Sequence, residues 1–162
     1  MPDTSTLTID WHEGPRDALR HLFELAEDSP MQLEGYIDLG RVLVARDAAG
    51  RVLGHVQLLA AGTALELKSI AVLEDWRGMG IGRRLVERAV AVSRDEGAAS
   101  VSVATATADV ENVRFYQRCG FRAASIERDA FTPDKGYSPD LAAGGIPVRD
   151  AIRFELDVER GR

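Results

Sequence analysis

Three alternating glycines, Gly78, Gly80 and Gly82, are the feature of this chain best suited to chemistry. They lie in Arg77-Gly78-Met79-Gly80-Ile81-Gly82, which Arg83 and Arg84 follow. Glycine lets a backbone come close to a ligand and turn its amides toward it. A helix starting here would add four free N–H groups and a partial positive charge. Together these cradle a pyrophosphate, with Arg77, Arg83 and Arg84 as counter-charge. Spacing excludes two familiar phosphate loops. A P-loop ends in Gly-Lys-Ser/Thr, whereas Arg83 and Arg84 follow Gly82. A dinucleotide fingerprint from Gly78 needs glycine at Arg83, and one from Gly80 needs a small residue at Leu85. A turn that holds no ligand is the competing explanation, although glycines are costly in a helix start.

The elements that must position this loop can be read from periodicity. Leu7 to Trp11 alternates as a short strand. Residues 16–27 carry apolar positions at helical spacing, and Ser29-Pro30 ends them. Ser29 then caps a second short helix through Met31, Leu33 and Ile37, which Gly40 closes. Strands follow at residues 42–46, 52–60 and 64–72, the first two forming a hairpin. The glycine loop leads into a long amphipathic helix ending at Gly97. A strand at 100–104, a helix at 109–118 with Asp109 as N-cap, and a strand at 121–128 come next. Residues 132–148 read as a loop, and 149–158 as a last alternating strand. This order predicts a mixed α/β domain built on one sheet.

The totals narrow the function. The chain has 162 residues, enough for one domain with one core. Its formal net charge of -6 disfavours nucleic acid and tolerates a cationic substrate. The lone cysteine, Cys119, permits neither an internal disulfide nor a cysteine-based zinc site. His12, His21 and His55 lack metal-ligand spacing, so no metal is expected. Met1 to Asp10 lacks an apolar signal core, and no stretch reaches a membrane span, which predicts a cytoplasmic protein.

The loop and a second segment together resemble the GCN5-related N-acetyltransferase (GNAT) superfamily. The family's Arg/Gln-x-x-Gly-x-Gly/Ala is met by Arg77, Gly80 and Gly82, after Ile70-Ala71-Val72. Its aromatic-Tyr-x-x-x-Gly-Phe is met by Phe115, Tyr116, Gly120 and Phe121. The resemblance covers most of the chain and resembles most a small bacterial-type GNAT protein. It implies an α/β (α+β) GNAT fold: about seven strands in one mixed sheet, splayed in the middle, with about four helices. It implies acetyl-CoA as cosubstrate. The pyrophosphate would sit on Gly78, Met79, Gly80, Ile81 and Gly82, flanked by Arg77 and Arg83. The pantetheine arm would lie in the gap beside Ile70, Ala71 and Val72, near Phe115 and Tyr116. The family often has Asn seven residues before the tyrosine and Ala four before it. Here those positions hold Asp109 and Asn112, and Asn112 is the replacement contact one helical turn on.

The activity implied is direct acetyl transfer, in a ternary complex, to a primary amine of a small molecule or peptide. Tyr116 is the donor to the leaving thiolate, its reference pKa of about 10 suiting that task; the alternative is a core aromatic. Glu66 is the candidate base; the alternative is an ion pair with Lys68 on the same strand face. A backbone N–H near Ala71 or Val72 would hold the oxyanion. Cys119 reads as a packed small residue. The segment 131–150, with Tyr137, Arg149 and Asp150, either shapes the acceptor pocket, joins subunits, or forms a surface flap. Its Gly145-Ile146-Pro147-Val148-Arg149-Asp150 resembles a bacterial GNAT subgroup. A homodimer through the last strands is compatible with this pattern. A non-catalytic acyl-CoA sensor, or transfer of another acyl group or to a hydroxyl, are the other functions the residues allow.

Overall fold

A computed structural model describes residues 3–159. The strands are β1 (Thr8–Trp11), β2 (Arg41–Arg46), β3 (Val52–Ala61), β4 (Ala64–Val72), β5 (Ser100–Ala106), β6 (Arg122–Glu127), β7 (Ala142–Ala143), β8 (Ile146–Pro147) and β9 (Ala151–Asp157). The helices are α1 (Arg20–Ala26), α2 (Pro30–Tyr36), α3 (Ile81–Asp95) and α4 (Val110–Arg118). Seven strands form one sheet in the order β1-β2-β3-β4-β5-β9-β6, and β7 pairs with β8 apart from it. The mixed, seven-stranded sheet with four helices is the architecture expected from the sequence.

Alternation within the strands builds two layers. On β2, Leu43 and Ala45 join the larger apolar cluster under α3 and α4, while Val42 and Val44 join a second cluster under α1 and α2. Helix α3 buries Ile81, Leu85, Val86, Ala89, Val90 and Val92 on one side. Each such large side chain removed from water stabilises by about 1.5–3 kcal/mol. Ser93, buried within that stripe, satisfies its hydroxyl by donating to the Ala89 carbonyl one turn back. The caps read from the sequence are present. Ser29 Oγ accepts from the Gln32 amide at 3.1 Å, and Asp109 Oδ1 accepts from the Asn112 amide at 3.1 Å.

Several boundaries differ from expectation, among them the last strand, which begins at Ala151 and not at 149. Residues 16–27 do not form one α-helix; Arg16–Leu19 is a 3-10 turn before α1. The Arg16 guanidinium donates to the carbonyls of Ile37, Leu39 and Gly40, which docks this turn against the end of α2. Strand β5 continues to Ala106 because β9 pairs along its whole length. The segment 132–148 is not featureless: it holds a 3-10 turn at Pro133–Lys135 and the β7–β8 pair.

Two irregularities shape the middle of the sheet. Gln57 lies opposite Ser69 and Leu58 opposite Leu67, so Lys68 is an extra residue, a β-bulge in β4. The bulge changes the phase of alternation. Leu65 and Leu67 before it, and Ile70 and Val72 after it, all reach the cluster under α3. Beyond the bulge β4 also parts from β5. Their parallel pairing runs only from Ala64↔Ser100 to Leu67↔Val103. The sheet therefore opens as a wedge between the end of β4 and the end of β5.

Candidate active site

The glycine loop joins β4 to α3 at the mouth of this wedge. Gly78 and Gly80 have φ of 76° and 82°, a left-handed conformation that side chains disfavour. A Cβ at either would meet nothing within 4 Å, so their outer faces border open space. Gly80 is the N-cap of α3, which directs the free amides of the first turn outward. Gly82 has another role: a Cβ there would lie 3.5 Å from Phe115 Cζ and 3.8 Å from Val72 Cγ2. There α3 packs against Phe115 of α4 and Val72 of β4. Met79 is half-buried beside it and Ile81 is buried.

The arginines divide. Arg77 Nε donates to the Val72 carbonyl at 3.0 Å, holding the loop to the end of β4. Arg83 Nε pairs with Glu87 at 3.0 Å on the exposed side of α3. Arg84 turns away from the loop: its guanidinium donates to the carbonyls of Thr4 and Leu7. The counter-charge expected of Arg84 is thus spent on the N-terminal segment, while Arg77 and Arg83 stay beside the glycines.

Backbone direction inside the wedge follows from register. The Leu73 amide donates to the Leu53 carbonyl, and Ala71 lies opposite His55. Alternation along an antiparallel pair therefore points Ala71 toward β3 and points Ile70 and Val72 the other way. Since β5 has left by then, the Ile70 and Val72 amides face the gap. Of the two amides first considered for an oxyanion, Val72 is directed there and Ala71 is not.

Helix α4 closes the wedge on the α3 side. Asn112 Nδ2 donates to Thr105 Oγ1 at 3.3 Å, which fixes α4 to the separated end of β5. Asp109 is occupied as the α4 cap. Tyr116 is 2% exposed and packs with Phe115, Phe121 and Phe154 at ring separations of 5.1, 5.9 and 6.1 Å. Burial raises its hydroxyl well above the usual phenol range, with smaller contributions from Cys119 and Asp109. The proton therefore stays on Tyr116 throughout the physiological range. Cys119 is half-buried, and burial raises its thiol too, as suits a packed residue.

On the opposite face, Glu66 does not pair with Lys68. Its Oε2 accepts from Arg153 Nη1 at 3.3 Å, and that nitrogen also lies 3.4 Å from Ser102 Oγ. The Lys68 ammonium sits over the Tyr36 ring, 4.8 Å from its centroid. Tyr36 and Tyr137 donate their hydroxyls to Glu27 at 3.0 and 2.7 Å. Ser29 Oγ donates to the Lys135 carbonyl at 2.7 Å. The segment before β9 is thereby strapped onto the α1–α2 turn. His55 is fully buried, 2.8 Å from Ser69 Oγ and stacked on Phe23. His12 is tied to the Pro15 carbonyl. Among the described residues no cluster of metal-ligating side chains occurs, and no helix is long and apolar enough to cross a membrane. Sequence reasoning missed Arg153, Ser102 and Glu27. The available signal was the polar face of the last strand, Arg153 included.

Known proteins share this fold. A profile described as the acetyltransferase (GNAT) family matches residues 6–121. The uncharacterized N-acetyltransferase YvbK of Bacillus subtilis is 31% identical over 153 residues, covering 94% of this chain and 97% of its own. The structure of an IAA acetyltransferase from Bacillus cereus superimposes with a TM-score of 0.83 at 33% identity, covering 93% of this chain and 99% of that one. A Bacillus subtilis acetyltransferase solved in complex with CoA superimposes with a TM-score of 0.84 at 31% identity, covering 93% and 98%. With its fold, its glycine loop and most of its length matched in this way, the chain belongs to the GNAT acetyltransferase family and is an acyltransferase.

Proposed function

We propose that the chain moves the acetyl group of acetyl-CoA directly to a primary amine of a small molecule or peptide, within a ternary complex. The observation that carries this reading is the wedge: it runs from the free amides at the α3 N-terminus to the inward-facing amides of Ile70 and Val72. A pyrophosphate on the Gly78–Gly82 loop, flanked by Arg77 and Arg83, would leave the pantetheine arm to follow β4. Phe115 and Asn112 would bound that arm on the α4 side.

The chemistry divides among few groups. An alkyl amine is protonated at pH 7, and removing its proton costs about 4–5 kcal/mol. Glu66 takes that proton, directly or through water. The neutral nitrogen attacks the thioester carbonyl, forming the N–C bond, and the Val72 amide meets the negative charge on oxygen. The C–S bond then breaks, and Tyr116, protonated at every working pH, gives a proton to the departing thiolate. The acylated nitrogen sheds its second proton, which passes back to Tyr116, and solvent removes the first from Glu66. Mutual orientation of amine and thioester supplies much of the acceleration.

Calorimetric titration with acetyl-CoA tests the site, alongside a Gly80→Glu variant that fills the loop. Micromolar binding abolished by the substitution is the expected result. An amine panel with Tyr116→Phe then tests the transfer; binding without turnover of any amine would instead make the protein an acyl-CoA sensor.

A further inference from the structure

We infer that Arg153 is an acceptor-binding residue and that the acceptor amine carries a carboxylate, as an amino acid does. The inference rests on the acetyl-transfer reading above and names the substrate class for that site.

Arg153 stands in the middle of β9, on the sheet face shared with Glu66 and Ser102. Only Nη1 is engaged, at 3.3 Å to Glu66 Oε2 and 3.4 Å to Ser102 Oγ. Among the described residues, Nε and Nη2 meet no acceptor. This is not the geometry of a finished ion pair. Arg41 and Glu96 of the same chain show that geometry, with two nitrogens on two oxygens at 2.8 and 2.7 Å. The Arg153 side chain remains 39% exposed, with planar donors to spare.

Arg153 also lines a cavity of about 150 Å³, together with Ala104, Ser125, Glu127 and Ala151. Register explains its shape. Ala104, Arg153 and Ser125 form one row across β5, β9 and β6, and Ala106, Ala151 and Glu127 form the next. Alanines make a low floor between the taller Arg153 and Glu127. Ala104 is also the first β5 residue beyond the last β4 partner, Val103. The cavity thus begins where the wedge opens. Arg153 is one strand over, about 5 Å, from the edge at which the acceptor nitrogen must arrive. That span fits a carboxylate a few bonds from its amine.

Charge selects the anion. The guanidinium already serves Glu66, and Glu127 closes the far side of the cavity. A dianionic phosphate would meet both carboxylates. A single carboxylate satisfies the unused Arg153 donors with the least repulsion.

The test is steady-state acetyl transfer with free amino acids, each matched to its amide and its decarboxylated amine. At least one amino acid is expected to exceed its decarboxylated partner about tenfold or more in kcat/KM. Arg153→Met is expected to lower that ratio about 10- to 100-fold, mainly through KM, and Arg153→Lys to recover part of it. A merely structural Arg153 would lower both substrates equally and leave the ratio unchanged, which overturns the inference. So would binding of acetyl-CoA by the wild type with turnover only of amines that lack a carboxylate, or with no turnover of any compound in the panel. Failure of the wild type to bind acetyl-CoA would instead sink the acetyl-transfer reading, and this inference with it.

Discussion

Tyr137 donates its hydroxyl to Glu27 Oε2 at 2.7 Å, joining the segment before β9 to the end of α1. The bond spans the wedge, because α1 packs on β4 whereas β9 belongs to the other arm of the sheet. Tyr36 holds the second oxygen of the same carboxylate. Tyr137→Phe keeps the ring against Phe131 and removes only this link. A hydrogen bond to a charged group contributes about 1.5–3 kcal/mol, less where water competes, so a loss of about 1–2 kcal/mol is expected. Urea unfolding of the two proteins measures it; equal midpoints would mean that the strap is held by Ser29 and Lys135 alone.

Titration of the phenols probes the same region. All three tyrosines are held above the usual range, each chiefly by burial; Glu27 adds to this for Tyr36 and Tyr137. A raised folded pKa favours the protonated form in the native state. The stabilisation is therefore complete below the unfolded value of about 10 and declines as pH rises above it. Native protein should develop no phenolate absorbance through pH 10, and any that appears should coincide with unfolding. A tyrosine titrating near 10 with the fold intact would contradict the burial of at least one ring.

His55 works in the opposite direction. Burial, with a smaller contribution from His21, pushes it down to about 3. A depressed folded pKa gives stability that is present above the unfolded value near 6.5 and is lost as pH falls toward 3. Between pH 7 and pH 5 the cost from this group is about 2 kcal/mol. Replacing His55 with Gln, which does not titrate, should flatten the acid limb of the stability profile by that amount. Parallel profiles for both proteins would show that His55 is solvated in the native state.

The loop and the aromatic segment were legible because their residues are neighbours in sequence. Gly78, Gly80 and Gly82 report a local backbone demand, and Phe115, Tyr116 and Phe121 lie on adjoining turns. Element order was legible for the same reason, since each period is local. The pairs Glu66–Arg153 and Glu27–Tyr137 were not. They join positions 87 and 110 residues apart, and which side chains meet depends on strand register and strap docking. Arg84 was misplaced on similar grounds: its sequence neighbours are the glycines, but its partners are Thr4 and Leu7.

The bulge at Lys68 was the least legible feature, and it yields the sharpest prediction. Residues 64–72 read as one regular strand, yet regular alternation would put Leu67 and Ile70 on opposite faces. Both reach the α3 cluster because Lys68 is an inserted residue. A bulge bends its strand, and here the bend falls where β4 leaves β5. Deleting Lys68 would leave Leu67 opposite Leu58 and Ser69 opposite Gln57, with each side chain on its present face. The shortened chain should therefore still unfold cooperatively, within about 3 kcal/mol of wild type. Its β4 would run straight and keep pairing with β5 past Val103, so the Ile70 and Val72 amides would be consumed by the ladder. Calorimetry should then show no acetyl-CoA binding. Lys68→Ala is the control: it keeps the extra residue, loses only the contact with Tyr36, and should bind as wild type does. Full affinity in the deletion variant would mean that the wedge is opened by α4 and the strap, not by the bulge.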